Sequence, residues 1–403
     1  METRFVIGRP ALPRILAGHP WLYREAIRPV HRTAALPETG DAVGLEDGEG
    51  QLVGRGVFDA SSPLAVRVWT RGDVRVDGAL IASRLAHAFA LRTHLFAAAD
   101  TNAYRLLHGE GDRMPGLVID RYGSVAVLRT DGDAAAVIFE RHAAEFERQL
   151  RAFGIETLLH RAVGTNRRQA GREQAPPAGA PVLVFGPEVT ETVQVQEHGM
   201  PFASDLLRGQ KTGSFLDQRD NRRRVRELAQ GRRVLNLFSY AGGFSAAAAL
   251  GGATHVTSVD IAHDAHRTAH ASFKLAGLDP AAHSFVTADA FQWLDDAANA
   301  AKRFDLIVSD PPSFAPNEKS VPKAQAAYKR LHRACARLLA DDGLFCAASC
   351  SSHVDAKMFL GTLDDNTLEQ RPLRVLEQHG APSDHPVLAA FPEGAYLKFM
   401  VLG

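Results

Sequence analysis

Between residues 41 and 70, short apolar runs alternate with polar positions, as Val66 and Val68 do, and Asp47-Gly48-Glu49-Gly50 interrupts them with a tight turn. Strands this short share a core only if their sheet curls, so residues 1–75 read as a small β-barrel-like module. The rhythm then turns helical, with Leu80, Ile81, Leu85, Ala88, Phe89 and Leu91 recurring at turn spacing. Apolar runs at 116–121 and 124–129 flank Tyr122-Gly123 and predict a hairpin. A second helix is expected over about 134–152, with strands at 157–163, 181–185 and 191–197, so residues 76–200 form a mixed α+β stretch. Residues 164–180, rich in glycine, proline and arginine, predict a loop whose cations either meet phosphate or are simply solvated.

From about residue 232 the pattern changes again. Apolar runs at 233–238, 254–260, 284–287, 305–309 and 344–349 alternate with helical stretches at 244–250, 264–276, 290–301 and 324–339. Nearly continuous apolar strands alternating with helices predict a parallel sheet covered on both faces, here spanning residues 201–403. A final run at 396–402 is expected as an antiparallel edge or inserted strand.

Composition narrows the class without naming a partner. The 403 residues suggest two or three domains. Forty-six basic residues balance 46 acidic ones, so any nucleic-acid binding must come from a local patch and shaped pockets rather than bulk charge. The three cysteines, Cys335, Cys346 and Cys350, form no C-x-x-C pair and no even set for a disulfide framework. Neither a signal-peptide core nor an apolar run of membrane-spanning length is present, so a reducing, soluble compartment, the cytoplasm, is expected.

In a parallel sheet, ligands bind outside the carboxyl ends of the strands, and those ends hold the candidate chemistry. The first opens into Phe238-Ser239-Tyr240-Ala241-Gly242-Gly243, where glycines admit close approach to the backbone. This turn is neither G-x-G-x-x-G nor a Walker loop, which disfavours dinucleotides and triphosphates. The second ends at Asp260, placed to accept from ribose hydroxyls. The third ends near Asp289, which reads equally as a contact to an adenine edge or as a helix N-cap. The fourth ends in Asp310-Pro311-Pro312-Ser313-Phe314, where two prolines stiffen a turn carrying an acid and an aromatic ring. The fifth ends at Cys350, among polar residues and beside the fourth strand, whereas Cys335 and Cys346 sit mid-element as small buried hydrophobes. His353 reads as a helix-start residue. His263, His266 and His270 share a helix face without the further ligands of a zinc site, so no metal is expected. The run Arg222 to Arg224 reads as a solvated helix face.

Segments 211–222, 235–244, 258–260, 310–314 and 349–351 resemble the bacterial 23S ribosomal RNA cytosine-5 methyltransferase family, as do His19-Pro20-Trp21, 101–121 and 385–398. The resemblance runs over essentially the whole chain. It implies an N-terminal PUA domain, a central α+β domain resembling an RNA-binding fold, and a Rossmann-like class I methyltransferase domain, within an α/β fold class. It implies S-adenosylmethionine as cofactor and ribosomal RNA as partner, with no membrane association; a homodimer is left open. By motif match, cofactor contacts fall on Phe238, Ser239, Tyr240, Gly242, Gly243, Asp260, Ile261, Asp289, Ala290 and Asp310, with Gln218 and Arg219 from Asp217-Gln218-Arg219. The nucleophile falls on Cys350; apart from that match, Asp310 is expected to be catalytic as well, and the substrate to meet Pro311, Pro312, Phe314 and Lys211. Ser313 stands where the family commonly has lysine, and 314–320 is similar to a branch that methylates guanine. Three functions therefore stay open: cytosine-5 methylation through Cys350, methylation of a base nitrogen without a thiol, and a non-catalytic RNA-binding assembly factor.

Overall fold

A computed structural model describes residues 3–30, 37–96, 100–163, 180–299, 301–369, 371 and 373–403. Contacts divide the chain into two units: Met1–Thr192 with Leu206–Gly213 and Ser383–Gly394, and Val193–Asp205 with Ser214–Pro382 and Ala395–Gly403. The loop expected over 164–180 lies almost wholly outside the described residues.

The first unit contains two sheets. One has six strands in the order Trp21–Leu22, Val66–Arg71, Leu52–Phe58, Ala42–Glu46, Arg4–Ile7, Ile27–Pro29. All neighbours run antiparallel except Arg4–Ile7 beside Ala42–Glu46. Phe5, Ile7, Leu22, Val43, Leu45 and Phe58 fill its core, so the strands legible beyond residue 41 are completed by three from nearer the start. The other sheet has five strands, in the order Val182–Phe185, Thr157–Val163, Val125–Asp131, Leu117–Tyr122, Ala103–His108. It shares a core with the helix Gly78–Leu95 and with two helices where one was expected, Asp133–Arg141 and Ala143–Ala152. The break falls at His142 (φ −118°, ψ 19°) and lets Phe139 and Phe146 meet edge to face, 5.3 Å apart, inside the core.

Two distant segments are tied into this unit by polar side chains. Fully buried Arg92 donates to the carbonyl of Asp384 at 2.7 Å, and a carboxylate oxygen of Asp384 accepts from the Arg105 N–H at 2.8 Å. Arg161 donates to the carbonyls of Leu206 and Gly209, each at 2.9 Å, and the Thr212 hydroxyl donates to Asp120 at 2.5 Å.

The second unit is built on a seven-stranded sheet: β1 (Arg233–Leu237), β2 (His255–Asp260), β3 (Ser284–Thr287), β4 (Phe304–Ser309), β5 (Leu339–Ser349), β6 (Val375–His379) and β7 (Lys398–Leu402). Their order is β3-β2-β1-β4-β5-β7-β6, with β1 to β5 parallel and β7 inserted antiparallel to both β5 and β6. Successive residues serve opposite faces. Phe345 and Ala347 join Leu235, Leu237 and Ile307 in one core, while Cys346 and Ala348 join Val234, Leu306 and Val308 in the other. Burial on both faces is why these strands lack polar alternation.

A hairpin, Val193–Glu197 with Met200–Ser204, belongs to this unit rather than to the preceding stretch. Met200 enters the second of those cores, and the Ala203 N–H donates to the Ser272 hydroxyl at 3.1 Å. The hairpin also supplies Glu197, which accepts from both Arg222 Nε (2.5 Å) and Nη2 (2.7 Å) in full burial. Arg224 likewise forks onto Glu377 of β6, its Nη2 at 2.6 Å. The arginine run is thus not a solvated face, because two of its members bolt the helix Arg219–Leu228 to a hairpin and to the sheet. Glu197→Ala would leave the Arg222 charge buried and unpaired. A loss of about 3–5 kcal/mol is expected in urea unfolding followed by circular dichroism.

Candidate active site

Phe238, Ser239, Tyr240, Ala241 and Gly242 lead from β1 into the helix Gly243–Leu250, and three of them adopt left-handed backbone: Phe238 (φ 56°), Tyr240 (φ 46°) and Gly242 (φ 76°). Non-glycine residues persist there only when their surroundings hold them. Asp260 does the holding, one carboxylate oxygen accepting from the Tyr240 N–H at 2.7 Å and the other from the Ala262 N–H at 2.8 Å. A Cβ on Gly242 would stand 2.7 Å from that of Ala269, and one on Gly243 would stand 2.9 Å from Arg222 Cδ, so larger residues do not fit this path. Beneath it, the amide of Asn236 donates to the Ser245 hydroxyl at 2.9 Å, and Ser245 meets Ser258 at 2.7 Å, fixing helix and strands together.

Two features of this turn point to a ligand. The Ser239 hydroxyl is buried with no hydrogen-bond partner among the described residues. Ile261, immediately after Asp260, is 73% exposed, an uncovered aliphatic side chain at the mouth of the turn. Asp289 is exposed, and one oxygen accepts from the N–H groups of Phe291 and Gln292, both at 3.0 Å. That is the N-cap geometry of the helix beginning at Ala290, so the capping alternative holds for this oxygen.

Asp310 follows β4, and one of its oxygens accepts from the Gln218 amide at 2.9 Å, while the Asn221 amide donates to Gln218 at 2.6 Å. Gln218 and Arg219 are 2% and 1% exposed, so both act from inside the protein. Neighbouring Asp217 accepts from the Tyr396 hydroxyl at 2.7 Å. Pro311 is buried and Pro312 exposed, and the half-buried Phe314 ring lies 4.9 Å from Tyr328 and 6.5 Å from Phe291.

Cys350 lies just past β5, half-buried, its sulfur 4.0 Å from the Pro311 carbonyl oxygen. The sulfur therefore lies beside the proline-stiffened turn. Buried Tyr328 lies nearby, with its hydroxyl 2.8 Å from that of Ser349. Burial pushes the Tyr328 hydroxyl up to about 12, a shift to which the nearby Cys350 and Asp310 add. Cys335 and Cys346 are sealed in the two cores, and burial drives both thiols up, Cys346 to about 12. His353 is exposed, and the rings of His266 and His270 pack against Phe285. Lys211 belongs to the first unit, with a left-handed backbone (φ 52°). Periodicity gave no sign of Tyr328, Asn221, Tyr396 or Lys398, since a polar group on a helix or strand end carries no local mark of what it meets across the fold.

The comparisons agree with this layout. Residues 156–399 match the S-adenosylmethionine-dependent methyltransferase family, and residues 6–71 match the PUA-like domain. The chain is 36% identical to a ribosomal RNA large subunit methyltransferase of Deinococcus radiodurans, covering 100% of this chain and 97% of that one. It is 33% identical to ribosomal RNA large subunit methyltransferase I of Escherichia coli, over 99% and 98% of the two chains. A methyltransferase solved in complex with SAH superposes over the whole of both chains with a TM-score of 0.86 at 25% identity. The chain belongs to the S-adenosylmethionine-dependent methyltransferases, and among them to the family of the ribosomal RNA large subunit methyltransferases that it matches end to end.

The turn after β1 fits S-adenosylmethionine: a buried hydroxyl lacking a partner, glycines where a Cβ would collide, a fixed carboxylate and an exposed aliphatic side chain. No helix among the described residues is long and apolar enough to cross a membrane. Of the three thiols, Cys350 is expected to alkylate with iodoacetamide in the folded protein, and Cys335 and Cys346 only after unfolding. Peptide mass spectrometry reads the difference.

Proposed function

We propose that this protein methylates carbon 5 of a cytosine in 23S ribosomal RNA, in the cytoplasm, with Cys350 as a covalent nucleophile. The observation that carries this reading is the position of Cys350: of three thiols it alone is partly open, and it faces the Asp310-Pro311-Pro312 turn. Cytosine carbon 5 is a poor nucleophile, and a thiol adding to the neighbouring carbon overcomes that by splitting one hard step into easier ones. Methylation of a base nitrogen needs no such group.

Bound S-adenosylmethionine supplies an electrophilic methyl group. We assign its ribose to Asp260, its flat face to Ile261, its adenine edge to Asp289 and Ala290, and its remaining length to Phe238, Ser239, Tyr240, Gly242 and Gly243. Gln218 and Arg219 stand behind that pocket, and Gln218 aims the Asp310 carboxylate. The Cys350 thiolate forms a bond to carbon 6 of the cytosine, and the displaced π pair makes carbon 5 nucleophilic. After methylation, loss of the carbon-5 proton returns a pair to the ring, the bond to sulfur breaks, and the thiolate is restored. Asp310 orients or protonates the ring nitrogen, while Pro311, Pro312 and Phe314 wall the base. Lys211, in the first unit, is assigned to the RNA. A base reaches such a crevice only unstacked, at about a few kcal/mol unless it is already looped out. Single-stranded or bulged RNA is therefore the expected form of substrate.

Nucleoside mass spectrometry of 23S ribosomal RNA, with and without the protein, is expected to show 5-methylcytidine only in its presence. Cys350→Ala is expected to lower transfer by more than about 10³-fold, the scale on which nucleophile loss acts. Full transfer by that variant would end the covalent route, and methylguanine in place of methylcytidine would move the target to a base nitrogen. Asp260→Asn is expected to weaken S-adenosylmethionine binding about tenfold or more in calorimetry, the worth of a hydrogen bond to a charged group. Wild-type protein that binds none would return the chain to the role of an RNA-binding assembly factor.

A further inference from the structure

Lys398 is the first residue of β7 and pairs with Ser349, the last residue of β5, directly before Cys350. Its side chain is buried, 4% exposed, and its ammonium donates to the carbonyls of Ser351 at 2.5 Å and Tyr396 at 2.7 Å. The nitrogen is thus pinned to the stretch of backbone that carries Cys350. Arg92 and Arg222, also buried, are paired with the carboxylates of Asp112 and Glu197. Lys398 forms no ion pair with a carboxylate of the described residues. A buried ammonium held only by neutral carbonyls is costly unless a negative charge stands near it.

Asp355 lies toward Lys398, but it is exposed and one of its oxygens caps the helix Ala356–Leu360 through the Met358 N–H at 2.7 Å. His353 is exposed as well. On the other side, Tyr328 faces both Cys350 and Asp310, and its raised hydroxyl stays neutral at physiological pH. The Pro311 carbonyl accepts from the thiol of Cys350 and so favours its protonated form. Lys398 brings a positive charge to this same stretch.

We propose that Lys398 is a positioning residue for the reaction, its pinned ammonium favouring the thiolate of Cys350. The inference rests on the reading that Cys350 is the nucleophile. The thiol gives its proton to solvent, Lys398 keeps its own, and the thiolate's charge offsets that of the buried ammonium. Burial pulls Lys398 down to about 8, against the pull of Cys350 and Asp355, so its charge is present at neutral pH and fades above that value.

The test is the pH profile of iodoacetamide alkylation at Cys350 in the full-length protein, read by peptide mass spectrometry, with folding checked by circular dichroism. In the wild type, the midpoint is expected below the ordinary thiol value of about 8.5. Lys398→Met is expected to raise it by about one unit or more and to slow alkylation at pH 7 about tenfold, while Lys398→Arg keeps a low midpoint. Lys398→Gln, which retains a donor for the two carbonyls, is read in the same way should the methionine variant fail to fold. A wild-type midpoint at or above the ordinary value, or one unmoved when the charge is removed, overturns the proposal. Cys350→Ala separates the two readings. Methyl transfer by that variant would overturn the nucleophile and with it the part of Lys398 in the reaction, whereas an inactive Cys350→Ala beside an unmoved midpoint in the lysine variants would overturn only the role of Lys398.

Discussion

The site depends on one carboxylate. Asp260 spends one oxygen on the Tyr240 N–H and the other on the Ala262 N–H, joining the loop after β1 to the loop after β2. With the bonds from the Ser239 N–H to the Val259 carbonyl and from the Gly242 N–H to the Ser239 carbonyl, that tie holds the left-handed backbone of the turn. The buried hydroxyl of Ser239 and the narrow path at Gly242 and Gly243 exist because the turn is held open in this form. Each oxygen of a carboxylate has two lone pairs, so the same group keeps capacity for a ligand hydroxyl. Structural and binding roles are thus compatible in one residue.

The strand–helix alternation from residue 232 onward was plain in the chain because strands buried on both faces are continuous apolar runs, and the parallel order then placed four strand ends together. Cys350 was legible for a related reason: a thiol among polar residues where a strand stops has a different setting from Cys346, four residues earlier in mid-strand. What escaped was long-range pairing. Glu197 and Arg222 are 25 positions apart and Tyr396 and Asp217 are 179 apart. Neither pair leaves a periodic trace, so the arginine run looked like a surface. The break at His142 escaped because the apolar spacing continues across it. Gln218 and Arg219 were reached only through likeness to a family, since their burial cannot be guessed from a segment so polar.

Buried cations recur in both units, and their partners differ with their task. Arg92 is saturated by carbonyls and by Asp112 and ties residue 384 into the first unit. Arg222 forks onto Glu197 and fastens a hairpin. The planar five-donor guanidinium suits such fastening, whereas an ammonium is a point charge on a flexible stem whose proton affinity shifts readily on burial. At residue 398 the buried cation is a lysine, and among the described residues neutral carbonyls alone accept its hydrogen bonds.

Inserting β7 between β5 and β6 also governs when this edge of the sheet can close during synthesis. Residues 398–402 supply the central partner for two strands that are otherwise not hydrogen-bonded to each other. Until residue 402 has been made, β5 has an open edge, β6 has no sheet to join, and the loop bearing Cys350 lacks its clamp. Contacts of such sequence separation form slowly. From the making of residue 350 until that of residue 402, the nascent chain therefore carries the Cys350 sulfur without the strand that pairs beside it.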